Sequence, residues 1–524
     1  MLGALWALLL VLAAWRPLAV PDEGRYAEIG RWMLMSGDWL APRLNGIPFF
    51  HKPPLLHWLE SLSLAAFGAN VWAARLVPAL HAGLMLLGLY GATRSFATEA
   101  IARRAALMLG TSLSFLVGGQ YVNHDMMVAT WIGLAIWCFA LAFMHGERPH
   151  ANWARLGFVA CALGVLSKGL IGLALPGLVL LVWLLWTRQF RKVLHLPWFS
   201  GLALFSVMAL PWFVLAQRQY PGLFDYLFGV QQFGRYTGKT FNNPHPWWFY
   251  LVALLALLFP WALFAVHQAW ASVRRSANAA EEPVAKPWTA LCWIWLVAIV
   301  GFFSIPQSKL VGYVLPVMPP LALLSALGWE RAMVRRRHAG RWLAGLVALA
   351  LVLAVGLNAA SGRLLRGKLA QDIARTLACE ARASDTVYAV GAYPYDLPFY
   401  TQAPRPMVVV QDWPALRQST GDNWRRELFE GADFDALAGR VLQTPEVLAA
   451  ASAQPGQWLV APRNHPAGAW QQGWVLVQQG SGWSLYRSAA SATGATGSAA
   501  EGPEAAQHKG LPGCKDQGDK QRAH

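Results

Sequence analysis

Long apolar runs separated by short polar stretches fill the first 360 or so residues of the chain. Runs of this length with few charges predict helices that enter or cross a lipid bilayer. They place helices at 2–18, 72–93, 105–117, 127–144, 156–166, 170–186, 199–216, 248–270, 288–303, 311–329 and 342–358. The pattern predicts an α-helical polytopic membrane protein with about eleven or more transmembrane helices. After Asn358 the pattern changes. Short strand-like runs follow, "DTVYAVG", "RPMVVVQ", "GQWLVAP", "GWVLVQQ" and "WSLYR", with a helical stretch near 433–448 among them. These predict a small C-terminal α/β domain outside the membrane. From about Ser488 the chain is rich in Ala, Ser, Gly, Thr and Gln and reads as a disordered tail. The expected organisation is a membrane domain over 1–358 with its first outer loop at 20–71, an α/β domain over 359–487, and a tail over 488–524.

Composition strengthens this picture. Of 524 residues, 56% are hydrophobic and 13% charged, about half the charged share of a soluble domain. The 28 Trp suit the membrane–water interface. A formal net charge of +16 raises the question of nucleic acid. The cations, however, sit in short clusters between apolar runs: Arg94 with Arg103 and Arg104, Arg148 with Arg155, Arg188 with Arg191 and Lys192, Arg274 with Arg275, and Arg331 with Arg335, Arg336, Arg337 and Arg341. Such clusters mark loops held in the cytoplasm and argue against a nucleic-acid groove. The alternate loops then face outward, and they hold every unusual polar residue that borders an apolar run.

The five cysteines show no CxxC spacing, and Cys138, Cys161 and Cys292 lie in apolar runs. No disulfide framework or zinc ribbon is expected. The N-terminus lacks a basic region before its apolar run and has Arg16 and Pro17 where small residues would precede cleavage. It reads as an uncleaved first helix, short enough to leave room for a natural start upstream.

Ionisable residues bordering membrane runs are functional candidates by default. Asp22 and Glu23 stand side by side where the chain leaves its first apolar run, with Arg25 two positions on. An acid at the start of a helix is also a common cap, and for Glu23 that reading is as good as chemistry. Lys52 precedes Pro53 and Pro54, so its backbone is stiff. A lysine that merely snorkels to headgroups needs no such stiffness. Asp125 lies in the turn "YVNHDMM", where Asn123 and Asp125 would also suit a plain turn. Lys168 and Lys309 stand isolated between apolar runs. Tyr313, four residues after Lys309, would face the same cavity on a helix. His51, His57 and His245 are read first as structural. Clustered cations suit a phosphate or pyrophosphate, and a carboxylate among them suits a general base acting on a hydroxyl.

The stretch "PDEGRYAEIGRWMLMSGDWLAPRLNGIPFFHKPPLLHWLE" resembles the first outer loop of the bacterial lipid-A aminoarabinose transferases and their protein O-mannosyltransferase relatives, polytopic glycosyltransferases of the GT-C type. "SKGLIGLALP" and "FFSIPQSKLVGYVLPVMPPLALL" resemble two later blocks of that family. The resemblance covers about residues 20–330. It implies a polyprenyl-phosphate sugar as donor. It also implies Asp22 and Asp125 as catalytic acids and Arg25, Lys52 and Lys309 around the lipid phosphate; the residues themselves add Glu23, Lys168 and Tyr313 to the substrate-binding candidates. The family carries Glu before its lysine–proline and binds a divalent metal there with a later histidine. This chain has His51 at that position. A metal held by His51 and His245 is the one cofactor the residues leave open, since imidazole is a good zinc ligand.

The expected function is therefore transfer of a sugar from an undecaprenyl-type phosphate to a lipid, glycan or protein acceptor. It would take place at the outer face of a bacterial inner membrane, without nucleotide or nucleic acid. A transporter or lipid-linked-sugar flippase is the alternative. It predicts internal repeats and mid-membrane charges, whereas no repeat is evident and the charges gather at one face. A purely structural role for the outer domain leaves the polar cluster unexplained.

Overall fold

The computed structural model describes residues 1–234, 243–274, 284–421, 423–494 and 510–514. Residues 235–242 of the expected outer loop 217–247, Arg275 of one basic cluster, and 495–509 and 515–524 of the expected tail lie outside the described residues. The chain divides into two compact units.

The first unit comprises Met1–Arg16, Lys52–Leu56 and Arg75–Ala359. Among the described residues of the chain, six helices, lying wholly or mostly in this unit, are long and apolar enough to cross a membrane: Val71–Arg94, His124–Met144, Trp198–Gln219, Lys286–Ser304, Val311–Ala332 and Ala339–Lys368. Two bent pairs raise the number to eight when each is taken as one span. These are Glu99–Gly110 with Leu113–Gln120, bent by 56°, and Phe249–Leu257 with Ala262–Arg274, bent by 119°. Leu2–Leu12 and Ile171–Trp186 are apolar but shorter, and Ala151–Lys168 completes the set. Each apolar run of the sequence thus contains a helix.

The differences lie at helix ends and breaks. The first run stops at Leu12, because Arg75 crosses to take the carbonyls of Ala13 and Arg16, at 2.9 and 2.7 Å. The run expected over 248–270 breaks between Leu257 and Ala262, where Pro260 supplies no N–H and cannot continue a helical ladder. The π-helical turn Asp225–Gly234 occupies part of the expected loop 217–247.

The interior of this unit is built on tryptophan. Trp183, Trp261, Trp295 and Trp329 are fully buried. Two of them place the indole N–H: Trp183 donates to Pro287 O at 2.8 Å and Trp261 to Thr111 Oγ1 at 2.9 Å, so burial leaves neither donor orphaned. Apolar side chains such as Leu202, Val207 and Val352 instead point outward, as a lipid-facing surface requires.

The second unit comprises Pro17–His51, His57–Ala74 and Ala360–His524. The first outer loop therefore groups with the C-terminal part of the chain. Within the loop, β1 (Arg43–Leu44) and β2 (Ile47–Pro48) form a hairpin. Asn45 and Gly46 turn it with φ of 54° and 77°, the left-handed pair that an Asn-Gly turn supplies. The remaining strands, β3 (Thr386–Val390), β4 (Val408–Val410), β5 (Leu442–Gln443), β6 (Gln457–Pro462), β7 (Trp474–Gln479) and β8 (Trp483–Ser488), make one sheet in the order β5-β4-β3-β6-β8-β7. β3 runs parallel to β4 and β6, and β8 is antiparallel to β6 and β7. All five strand-like runs of the sequence are strands.

The helical stretch expected at 433–448 is corrected. Helix Trp424–Ala432 ends before it, Asp435 caps a short turn by accepting from Ala438 N at 3.0 Å, and β5 pairs with β4. Side-chain capping of local N–H groups competes with a continuous helix. The absence of disulfides is also corrected: Cys379 and Cys514 are bonded, with Cα atoms 4.9 Å apart. Leu511 N donates to Ala378 O at 2.7 Å. Residues 510–514, which composition assigns to the tail, are thereby fastened to helix Gln371–Glu380.

Candidate active site

In the second unit, Asp22 opens helix Asp22–Ser36 and Glu23 follows it. The helix closes at Gly37 in the left-handed region, φ 70°. The two acids part at once. Asp22 keeps 36% of its side chain exposed, whereas Glu23 is fully buried and accepts from Ala19 N at 2.8 Å. Glu23 thus ties down the chain just ahead of the helix, whose start carries no side-chain cap, and Asp22 remains reachable.

Arg25 is buried one turn later. Its guanidinium donates to Asp22 Oδ1 at 2.5 Å, to Tyr26 Oη at 3.1 Å and to Glu427, and it lies 4.6 Å from the Tyr26 ring centroid. Burial works against its charge. Glu427 above all, then Tyr26 and Asp22, raise its pKa well above the ordinary arginine value. His51 stacks on Phe49 with centroids 4.8 Å apart. Its ring faces Glu427 at 4.0 Å from Nδ1 and Glu430 at 3.7 Å from Nε2.

Behind this layer lie His57 and Glu60, both fully buried, with His57 Nδ1 3.7 Å from Glu60 Oε2. Burial, then Arg25, pushes the His57 pKa down to about 3. Burial, then Glu23, raises that of Glu60 well above the usual carboxylate range. At neutral pH the His57 ring is therefore uncharged, and burial works against the charge of Glu60. Further along the same helix, Arg31 binds Glu28 through two 2.7 Å bonds and donates to Ala403 O at 2.9 Å.

In the first unit, the start of helix His124–Met144 meets the end of helix Ala151–Lys168. Asn123 caps the former, accepting from Asp125 N at 2.9 Å and donating to Asp125 Oδ2 at 3.0 Å. His124 Nδ1 and Ser167 O lie 2.8 Å apart. Asp125 and Lys168 form an ion pair, an anion at a helix N-terminus against a cation at a helix C-terminus, as both helix dipoles favour. The Lys168 ammonium also lies 4.5 Å from the Tyr313 ring centroid. Gly312 is required here, because a Cβ on it would run into the Asp125 carboxylate.

Lys309 sits elsewhere in the same unit. Pro244 and Ser308 form a short antiparallel bridge, and the Lys309 ammonium donates to the carbonyls of His245 and Pro306 at 3.0 and 2.5 Å. His245 is exposed and stacks on Phe249.

Residues 4–227 match the profile of the dolichyl-phosphate-mannose-protein mannosyltransferase family. The chain is 34% identical, over 65% of its length, to the undecaprenyl phosphate-alpha-4-amino-4-deoxy-L-arabinose arabinosyl transferase of Pseudomonas savastanoi pv. phaseolicola. It is also 34% identical, over 65% of its length, to a second transferase of that name from Pseudomonas fluorescens. These matches span 62% and 61% of the two relatives' lengths. The crystal structure of ArnT from Cupriavidus metallidurans bound to undecaprenyl phosphate superposes with a TM-score of 0.76. That match covers 92% of this chain and 96% of that one at 24% identity. The chain shares the fold of this transferase family. It is a multi-span membrane protein with a C-terminal sheet domain, and it resembles the family in sequence through the blocks named above. The relatives named here are transferases, and the transporter alternative has no counterpart among them.

Against this family fold, the predicted residues fall into two groups. Asp22, Glu23, Arg25 and His51 gather in the second unit. Asp125, Lys168 and Tyr313 gather in the first, which also holds Lys52, half-buried before its two prolines. Tyr313 partners Lys168 and not Lys309, because residues 308–309 belong to the bridge and the helical turn begins only at Val311.

His51 turns its ring nitrogens toward Glu427 and Glu430, and among the described residues no three His, Cys, Asp or Glu are grouped to hold an ion. Sequence reasoning missed Glu427 and Glu430. They lie some 400 residues from the loop they serve, and "NWRRELFEGA" reads as an ordinary amphipathic helix; their one-turn spacing was the only signal.

Proposed function

We propose that the protein is a glycosyltransferase that moves a sugar from a polyprenyl (undecaprenyl) phosphate to an acceptor hydroxyl. Asp22 serves as the general base: it is a partly exposed carboxylate held by a buried arginine. The acceptor oxygen attacks the anomeric carbon from the face opposite the phosphate. Its proton passes to Asp22, the bond from the anomeric carbon to the phosphate oxygen breaks, and the electron pair stays on the phosphate, giving inversion. Lys52, Lys168 and Lys309 supply positive charge for the leaving phosphate, and Tyr313 and Asp125 position Lys168. Glu23 fastens the chain ahead of the helix, and Arg25 acts first on Asp22. Membrane lipids surround the helices, and the acceptor is lipid A, another envelope glycan or a protein hydroxyl.

The basic loop clusters support an inner-membrane location with this chemistry on the periplasmic side. The reachable Asp22, paired to a buried arginine in a chain of this fold, is the observation that carries the reading. The test gives purified protein a labelled undecaprenyl-phosphate sugar and follows transfer into envelope extracts. Asp22→Asn should slow transfer by roughly 100-fold or more, the scale of a lost general base. Undiminished transfer by that variant overturns the assignment.

A further inference from the structure

The C-terminal sheet contains a feature that ordinarily marks a ligand site. Its parallel strands run in the order β5-β4-β3-β6, so the chain moves from β3 to β4 and β5 on one side and then returns to β6 on the other. In such sheets the crevice beyond the carboxyl ends of the strands, where the order switches, is where ligands bind. Here the segment leaving the end of β3 meets the chain's own helix Asp22–Ser36. A Cβ on Gly24 would come within 2.9 Å of Tyr395 O, helix Leu397–Thr401 packs on helix Asp22–Ser36, and Tyr400 Oη accepts from Leu18 N at 2.9 Å. Helix Trp424–Ala432, between β4 and β5, contributes further: Glu427 takes the Arg25 guanidinium, and Tyr395 donates to Trp424 O at 3.1 Å.

We infer that Glu427 is a positioning residue for the reaction proposed above: it fixes Arg25, and through Arg25 it fixes the Asp22 carboxylate. The geometry is specific. One guanidinium nitrogen, Nη1, points to Glu427, while the other, Nη2, points to Asp22 and Tyr26. The two carboxylates thus hold the same rigid fork from its two ends. Arg25 and Glu427 are 6% and 7% exposed in their side chains, against 36% for Asp22. The buried end anchors the fork and the exposed end presents the carboxylate. Phe49 and Tyr26 wall the guanidinium on its faces, which leaves its partners to set its rotation. The outer domain is then a platform that holds the base in place rather than a separate binding module.

This inference rests on Asp22 being the base, and the experiment separates the two. Glu427→Gln keeps the shape and removes the charge; Glu427→Asp keeps the charge on a shorter arm. Two readouts are taken on the full-length protein in detergent micelles. The first is transfer kinetics. Glu427→Gln should lower kcat by roughly 10- to 100-fold, the scale of a small misplacement, with donor KM within about twofold of wild type and with Glu427→Asp partly restoring the rate. The second needs no catalysis. Carbodiimide coupling of glycine ethyl ester to Asp22 at fixed pH, read by mass spectrometry, should rise at least about twofold in Glu427→Gln as the arginine loses its anchor. A wild-type kcat and wild-type Asp22 labelling in folded Glu427→Gln overturn the inference, as does an equal fall in both variants accompanied by a loss of folding. If wild type itself transfers no sugar while the labelling difference persists, the functional reading fails and the positioning stands.

Discussion

Asn45 and Met407 exchange two hydrogen bonds: the Asn45 amide donates to Met407 O and its carbonyl accepts from Met407 N, both at 2.8 Å. A single side chain imitates a strand partner across 362 residues of sequence, and it does so from a left-handed backbone position, φ 54°. Asn45→Ala removes both bonds, leaves buried groups of Met407 unpaired, and puts into the left-handed region a residue that tolerates it less well than Asn. It should lower the stability of the second unit by about 2–4 kcal/mol. Asn45→Gly, which relieves the backbone, should cost less. Thermal unfolding followed by near-ultraviolet circular dichroism checks the order.

The close approach of Gly312 to Asp125 makes a different prediction. Gly312→Ala would drive a methyl group into the carboxylate and push Asp125 away from Lys168. Transfer activity should fall at least about tenfold, because displaced catalytic groups are costly, while unfolding temperature shifts little. Wild-type activity in this variant would show that the Asp125–Lys168 pair is dispensable.

Acid should weaken the second unit through His57. Its folded pKa, about 3, lies below the unfolded value of 6.5. The unfolded chain therefore binds the extra proton between these values, and stability present above pH 6.5 is lost as pH falls toward 3, by up to a few kcal/mol. Glu60 has the opposite sign. Its folded pKa is raised, so its contribution is intact below pH 4.5 and declines as pH rises through the folded value. His57→Gln should flatten the acid limb of a stability–pH curve. Glu60→Gln should hold or increase stability at pH 8, whereas Glu60→Ala should lower it by leaving a cavity.

The bond between Cys379 and Cys514 closes a separation of 135 residues. Unfolded without reductant, the protein should titrate three thiols, those of Cys138, Cys161 and Cys292, and with reductant all five. Cys379→Ser and Cys514→Ser should each cost about 2–5 kcal/mol, and the double variant no more than either alone.

Apolar periodicity by itself determined the helical membrane part. A span needs only length and low charge, both local properties, and each predicted run proved to hold a helix. The strands β3, β4, β6, β7 and β8 were legible for the same reason, and Asp22, Arg25, Asp125 and Lys168 stood out as candidates, because isolated charges beside apolar runs are visible in any linear reading. Only the tertiary structure separated Asp22 from its neighbour Glu23, since the exposure that distinguishes them depends on which side of one helix meets residues 393–401. Only it joined Arg25 to Glu427, Asn45 to Met407 and Cys379 to Cys514. Those pairings cross hundreds of residues and leave no periodic trace, because a partner's charge or geometry acts through space and not along the chain. The same cause ended the first helix at Leu12, where a distant arginine, Arg75, takes the carbonyls that another turn of helix would have used.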